Sequence, residues 1–199
     1  MRNKIINSLL ALGALFLLLT GCQNFKKTQL VLFESLSFGM PEKSFQEVFG
    51  EASEVVEETE MAYRDAWRAE DPYFYKTGRL FYDYENITLN GYTGRARFTF
   101  SKSHRLEKAT VHIPVASKGE QYVVLNNLSQ TIKKEIEALP NFQSVTTETV
   151  GLYDDGYRYK VKLKGQRREF WIDVYPTEAE SVESQADKYT IRVDQFRMH

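Results

Sequence analysis

The residues of this chain that could do chemistry are its carboxylates, its three histidines and one cysteine. His104, His112 and His199 stand apart in the sequence with no cysteine beside them, so their spacing predicts no metal site. We likewise expect no cofactor. The chain contains no Gly-x-Ser-x-Gly elbow and no phosphate-binding loop. We therefore predict no catalytic residues and expect that the protein is not an enzyme.

Two groups of carboxylates nevertheless lie close together in the sequence. One comprises Glu57, Glu58 and Glu60, and the other comprises Asp83 and Glu85. Glycoside hydrolases need two carboxylates on either side of the scissile bond, so acid/base chemistry on sugars stays open. A solvated acidic surface explains both groups more simply.

The cysteine follows a segment with the organisation of a secretion signal. Arg2 and Lys4 precede an uncharged, largely apolar stretch over residues 5–19. This stretch of about 15 residues is shorter than the roughly 20 that a membrane-spanning helix needs, and it suits the apolar region of a signal peptide.

The stretch ends in Leu19-Thr20-Gly21-Cys22, which resembles the lipobox of bacterial lipoproteins. The resemblance implies cleavage between Gly21 and Cys22, transfer of a diacylglyceryl group to the Cys22 thiol, and acylation of the new amine, typically with palmitate. It predicts a signal peptide over 1–21 and a lipidated tether over 22–29. Gln23, in place of the aspartate that retains enteric lipoproteins at the inner membrane, favours an outer-membrane lipoprotein that faces the periplasm.

Composition excludes several other classes of protein. The chain has 199 residues, of which 42% are hydrophobic and 14% aromatic, and its formal net charge is −1. Such a composition is not that of a disordered chain. A mean hydropathy of −0.45 excludes a polytopic membrane protein, and a pI near 6.3 disfavours a nucleic-acid partner.

Periodicity predicts a helix followed by strands, and then the same arrangement again. Residues 41–49 and 122–139 carry apolar residues at helical spacing. Alternation predicts seven strands, near residues 79–85, 95–100, 106–115, 147–153, 157–164, 170–174 and 189–193. The Asp154-Asp155-Gly156 sequence predicts a hairpin turn.

This order favours an α+β fold, a two-layer sandwich in which an antiparallel sheet carries helices on one face. The folded domain would cover residues 30–199. Its possible halves, 30–116 and 117–199, suggest two tandem helix-plus-meander units.

Two surfaces could bind a partner. The first combines a basic strand face with aromatic anchors on the next strand: Arg158, Lys160, Lys162, Lys164, Trp171 and Tyr175. An acidic partner or anionic headgroups would suit it, while cross-strand ion pairing is the simpler explanation. The second surface is a set of aromatic residues in an acidic region that we expect to be irregular: Tyr63, Trp67, Tyr73, Phe74 and Tyr75.

The segment from Gly39-Met40-Pro41 through Gly50-Glu51-Ala52 resembles the motif of the small outer-membrane assembly lipoproteins of the SmpA/OmlA group, and more broadly the β-lactamase-inhibitor-protein-like fold. In that motif a Gly-Met turn leads into a short amphipathic helix that a glycine ends. Here Pro41 replaces the usual hydroxyl residue, and Ala52 replaces a proline. The resemblance implies protein–protein binding in the cell envelope.

The sequence thus predicts a lipid-anchored envelope protein that acts as a protein-binding module, with outer-membrane assembly or envelope maintenance as the process it would serve. Two alternatives remain. One is a lipid-anchored cell-wall hydrolase or glycan-binding module, and the other is an enzyme-inhibitor lipoprotein, as the broader fold resemblance suggests.

Overall fold

The structure, a computed structural model, describes residues 28–63, 72–150, 155–178 and 188–197. Within these residues, two helices and eight strands follow one another as α1 (Glu42–Phe49), β1 (Glu54–Tyr63), β2 (Pro72–Leu89), β3 (Tyr92–Phe100), β4 (Leu106–Val115), α2 (Lys118–Glu137), β5 (Phe142–Val150), β6 (Gly156–Leu163), β7 (Phe170–Glu178) and β8 (Tyr189–Arg197).

All eight strands belong to one antiparallel sheet in the order β1-β2-β3-β4-β8-β7-β6-β5. Each pair except the central one joins strands that are consecutive in the chain. The central pair, β4 with β8, runs in register from Lys108 opposite Phe196 to Val115 opposite Tyr189. The predicted α+β class with an antiparallel sheet is therefore confirmed.

Helix α1 is short because its ends are fixed by the backbone. Pro41 precedes it in an extended conformation, and Gly50 follows it at φ 89°, a left-handed value that favours glycine. The buried ring of Phe45 packs on the rings of Phe98 and Phe100, with centroids 4.9 and 5.1 Å away. These aromatic contacts attach the helix to β3.

Helix α2 begins four residues before the predicted start at Tyr122. The Ser117 hydroxyl accepts a hydrogen bond from the Glu120 amide at 3.2 Å, and the Glu120 carboxylate accepts one from the Ala116 amide at 2.8 Å. This reciprocal capping extends the helix to Lys118. The apolar stripe, including the fully buried Leu128, Ile132 and Ile136, follows the predicted spacing.

The number of strands corrects the sequence prediction. Strand β1 was not predicted, and β2 begins at Pro72, so the region expected to be irregular contains two paired strands. Glutamates at positions 54, 57, 58 and 60 obscure β1 because an edge strand needs no regular apolar face. The predicted hairpin is confirmed by the antiparallel pairing of β5 with β6, but Gly156, expected in the turn, pairs with Val150 and already begins β6.

Alternate residues of the sheet form a buried core face, on which Ala96, Val111, Val193 and Val174 lie side by side across four strands. The segment over residues 28–40 closes part of this core and buries Leu30 and Leu36. Thr28 and Gln29, which the sequence assigned to the tether, already belong to the folded body. Within the described ranges, no helix has the length and apolarity needed to cross a membrane.

Candidate functional site: the polar face of the sheet

The candidate site is the second face of the sheet, here called the polar face, which carries the other alternate residues. Strand register brings one row of charged and hydroxyl side chains together across seven strands. In order from β2 to β5, this row is Asp83, Arg97, Thr110, Asp194, Asp173, Arg158 and Glu148.

Three residues of β6 and β7 form a tightly bound cluster, here called the β6–β7 clamp: Arg158, Asp173 and Trp171. The Arg158 guanidinium donates from Nε and Nη2 to the two oxygens of Asp173, at 2.8 and 2.6 Å. Its central carbon lies 4.5 Å from the Trp171 ring centroid, and Lys160 Nζ lies 4.9 Å from it. The planar bidentate pair and the ring together hold Arg158 in one geometry.

The same arrangement occurs on β2 and β3, here called the β2–β3 clamp: Arg97, Asp83 and Phe81. Arg97 donates from Nε and Nη2 to the two Asp83 oxygens, both at 2.7 Å, and lies 5.2 Å above the Phe81 ring. Each clamp therefore contains an arginine, an aspartate on the neighbouring strand, and the aromatic residue two positions before that aspartate.

Asp194 lies between the clamps on the central strand β8. Its first oxygen accepts from Thr110 Oγ1 at 2.6 Å and faces Lys108 Nζ at 3.0 Å. Its second oxygen accepts from Arg192 Nε at 3.0 Å and from the Tyr175 hydroxyl at 3.1 Å. Burial alone would raise the pKa of Asp194, but Lys108, Thr110 and Arg192 outweigh it and lower that pKa.

These partners keep Asp194 ionised although it is buried directly opposite Asp173. Burial first, and then the Asp194 charge, raise the pKa of the Tyr175 phenol, so Tyr175 stays a hydrogen-bond donor. A glycosidase needs an acid whose pKa is raised toward neutrality, because that acid must donate a proton. The lowered pKa of Asp194 is the opposite of that requirement.

The polar face contains a cavity of about 750 Å³ next to the β2–β3 clamp. Its basic lining residues are Arg79, Arg95, Arg97, Lys108, His112 and Arg192, and its acidic ones are Glu54, Asp83 and Glu85. Burial lowers the pKa of His112, and the Arg192 charge lowers it further. The cavity thus has a predominantly basic lining, and the lowered pKa of His112 favours the neutral form of its imidazole.

The structure divides the first predicted surface. Arg158, Lys160 and Trp171 lie together in and beside the β6–β7 clamp, and Tyr175 bonds to Asp194. Lys162 is exposed toward the end of β6, and Lys164 lies beyond the strand in the following turn. Sequence reasoning missed Arg97, Lys108, Arg192 and Asp194. Arg97, Lys108 and Arg192 fall within predicted strands and Asp194 falls one residue beyond the last of them, but only the non-local β4–β8 pairing makes them neighbours.

The second predicted surface does not lie in an irregular loop. Tyr63 falls in β1, and Tyr73, Phe74 and Tyr75 fall in β2, where Tyr73 and Phe74 oppose Ala62 and Met61. Trp67 lies outside the described residues, as do Gly21 and Cys22.

Comparison of the chain with family models, with curated proteins and with solved structures finds no match.

Proposed function

We propose that this chain is a lipid-anchored protein of the bacterial cell envelope, which binds another protein through the polar face of its sheet. The observation that carries the proposal is the pair of preassembled arginine–aspartate–aromatic clamps on that face. We assign no enzymatic activity to the chain.

The polar face has the composition of a protein-binding surface. Arginine, tryptophan and tyrosine contribute most of the energy in protein interfaces, and here they lie on neighbouring strands. Binding usually costs entropy because mobile side chains must be ordered. The clamps reduce this cost, since Arg97 and Arg158 are already held by two hydrogen bonds each.

The exposed fractions of the acidic and basic side chains indicate which charge the polar face presents to a partner. The side chain of Asp194 is 6% exposed, whereas those of its partners Lys108 and Arg192 are 30% and 34% exposed. Asp173 and Arg158 repeat this difference at 8% and 28%. The carboxylates lie beneath the cations, so an acidic partner surface is favoured.

We also infer that both helices cover the core face and that the chain consists of two tandem helix-plus-meander units. Two contacts support the first part: Phe45 of α1 packs on Phe98, and the Tyr159 hydroxyl of β6 donates to the Ser129 carbonyl of α2 at 3.0 Å. The order of a helix and four strands, repeated once, supports the second. The final strands of the two units, β4 and β8, meet at the centre of the sheet.

The anchor is proposed from the lipobox, with Cys22 as the lipidated residue and the outer membrane, on its periplasmic side, as the location. If Cys22 is replaced by serine, the protein should move from the membrane fraction to the soluble fraction. A serine variant that stays with the membranes as the wild type does would contradict the anchor.

Photocrosslinking in cells tests the binding face. Benzoylphenylalanine is introduced in place of Glu85 or Thr146, two exposed positions on the polar face near opposite edges of the sheet. Matched controls carry it in place of Val123 or Gln130, which are exposed on α2. We expect one adduct of the same partner from both polar-face positions and none from the helix positions. No adduct from the polar face, or equal yields from α2, would contradict the proposal.

Charge reversal makes this test more specific. Arg192→Glu should lower the yield of the adduct at Glu85 about tenfold, because a desolvated charge pair contributes roughly 1.5 kcal/mol or more. Lys118→Glu is the control, since Lys118 lies on α2 with a distant 3.7 Å partner, Glu178. Equal yields from the two variants would show that the face does not select an acidic partner.

A further inference from the structure

The basic residues of β6 and of the turn that follows it, over residues 158–168, fall into two groups. Arg158 and Lys160 have carboxylate partners, Asp173 and Glu148, each at 2.6 Å. Four further cations on and after the end of β6 are all exposed, and in the part of the chain that the structure describes none has an ion pair: Lys162, Lys164, Arg167 and Arg168. We call these four residues the basic turn.

The basic turn contains little opposing charge. Glu169 is the one acidic residue between Val161 and Phe170. Arg197, at the end of β8, pairs with Phe170 and adds a further cation nearby. Burial lowers the pKa of Arg197, and the charge of Arg168 lowers it further.

This turn lies beside the point where the chain enters the fold. A small cavity of about 80 Å³ is lined by Thr28 and Gln29 on one side and by Leu163 and Gln166 on the other. The Lys164 amide donates to the Asn141 carbonyl at 2.7 Å, which fixes the turn against the same corner.

Thr28 is six residues after Cys22 in the sequence. Fully extended, six residues reach only about 20 Å, so a lipid on Cys22 keeps this corner of the body close to the bilayer surface. Anionic headgroups attract lysine and arginine side chains within about a Debye length of roughly 8 Å at physiological salt.

We infer that the basic turn binds anionic phospholipid headgroups and thereby sets the orientation of the folded body on the membrane. The inference rests on the lipid anchor of the proposed function. The strands then lead away from the bilayer, and the polar face is presented sideways, where a neighbouring envelope protein can reach it.

The charge around the entry point also selects the side that faces the lipid. A second cavity of about 420 Å³ also borders Gln29, and it is lined by Glu34 and Glu135. Anionic headgroups would be repelled from these carboxylates, so the body should tilt toward the basic turn.

Amide hydrogen exchange of the full-length lipidated protein tests the inference. The protein is placed in vesicles of phosphatidylcholine alone, or of phosphatidylcholine with about a quarter phosphatidylglycerol. We expect amides of residues 164–169 to exchange about tenfold more slowly in the anionic vesicles. The difference should disappear in about 1 M salt, where the Debye length is about 3 Å.

Two double variants separate the basic turn from general charge. Arg167→Gln/Arg168→Gln should abolish the protection, whereas Lys118→Gln/Lys188→Gln, which removes two cations near the other end of the sheet, should preserve it. Both variants should retain the wild-type circular dichroism spectrum, because all four side chains are exposed. Equal exchange of the turn in both kinds of vesicle, or protection of residues 86–93 beside the acidic cavity instead, would overturn the inference.

The intact mass of the purified protein distinguishes failure of the inference from failure of the proposed anchor. A mass without acyl chains overturns the anchor and the orientation together. An acylated protein whose turn exchanges alike in the two kinds of vesicle overturns the headgroup site alone and leaves the anchor and the binding face in place.

Discussion

The two clamps contain the same chemistry in different surroundings. In both, an arginine donates two hydrogen bonds to an aspartate on the next strand and lies over an aromatic ring. The side chains of Arg97 and Asp83 are 50% and 21% exposed, whereas those of Arg158 and Asp173 are 28% and 8% exposed. The same kind of ion pair should therefore contribute differently to stability, because water weakens the more exposed pair of the β2–β3 clamp (the outer clamp) more than that of the β6–β7 clamp (the inner clamp).

The largest expected effect comes from removing the carboxylate of the inner clamp. Asp173→Asn leaves the Arg158 guanidinium without its anionic partner and should lower the free energy of unfolding by about 3 kcal/mol. The matched change Asp83→Asn in the outer clamp should cost only about 0.5 kcal/mol. Urea unfolding of both variants measures the two values, and equal losses would show that burial does not separate the clamps.

The second-largest expected effect on stability comes from Asp194, which lies between the two clamps. Its folded-state pKa is lower than its unfolded value, so its charge stabilises the fold above the unfolded pKa of about 3.9. This contribution is lost as the pH falls through the folded-state pKa. Asp194→Asn should cost about 2 kcal/mol at neutral pH.

Measurements of the free energy of unfolding from pH 7 down to about pH 3 test whether the Asp194 charge stabilises the fold. The lower limit lies about one unit below the unfolded-state pKa of aspartate. The Asp194→Asn protein should lose less stability over the acidic part of the range than the wild type. If the two curves stay parallel to the lowest pH, Asp194 is not the group that stabilises the fold through its charge.

The smallest effect concerns the aromatic member of each clamp. Trp171→Leu removes the ring that Arg158 and Lys160 approach and should lower the free energy of unfolding by about 1 kcal/mol. Phe81→Leu removes the ring beneath the more exposed Arg97 and should cost about 0.5 kcal/mol. Thermal unfolding can rank the two variants, and a larger loss from Phe81→Leu would reverse the proposed order.

Much of the secondary structure could be predicted where one face of an element is buried. The stripe Leu128, Ile132 and Ile136 predicts α2, and the alternation of Ala109, Val111 and Ile113 predicts β4, because burial on one side imposes a period on the sequence. Strand β1 could not be predicted in this way. It lies at the edge of the sheet, and its glutamates follow the needs of solubility more than those of a core.

The four basic residues of the predicted strand face show the same limit at the level of the site. Arg158, Lys160, Lys162 and Lys164 have the same period and look equivalent in the sequence. The fold gives carboxylate partners to the first two and leaves the last two exposed near the entry of the chain. Their neighbours come from β7, β5 and the N-terminal segment, and no local pattern encodes those distances.

By itself, the sequence determined which residues alternate between core and polar positions, where α2 lies, and that Cys22 ends a lipobox-like segment. These are local properties, set by backbone geometry and by the transfer of apolar side chains from water. Only the tertiary structure decided that β4 pairs with β8. That pairing brings Thr110 and Lys108 to Asp194 and joins the two clamps into one face. The physical reason is that residues more than 80 positions apart in the chain become neighbours only when β4 and β8 pair at the centre of the sheet.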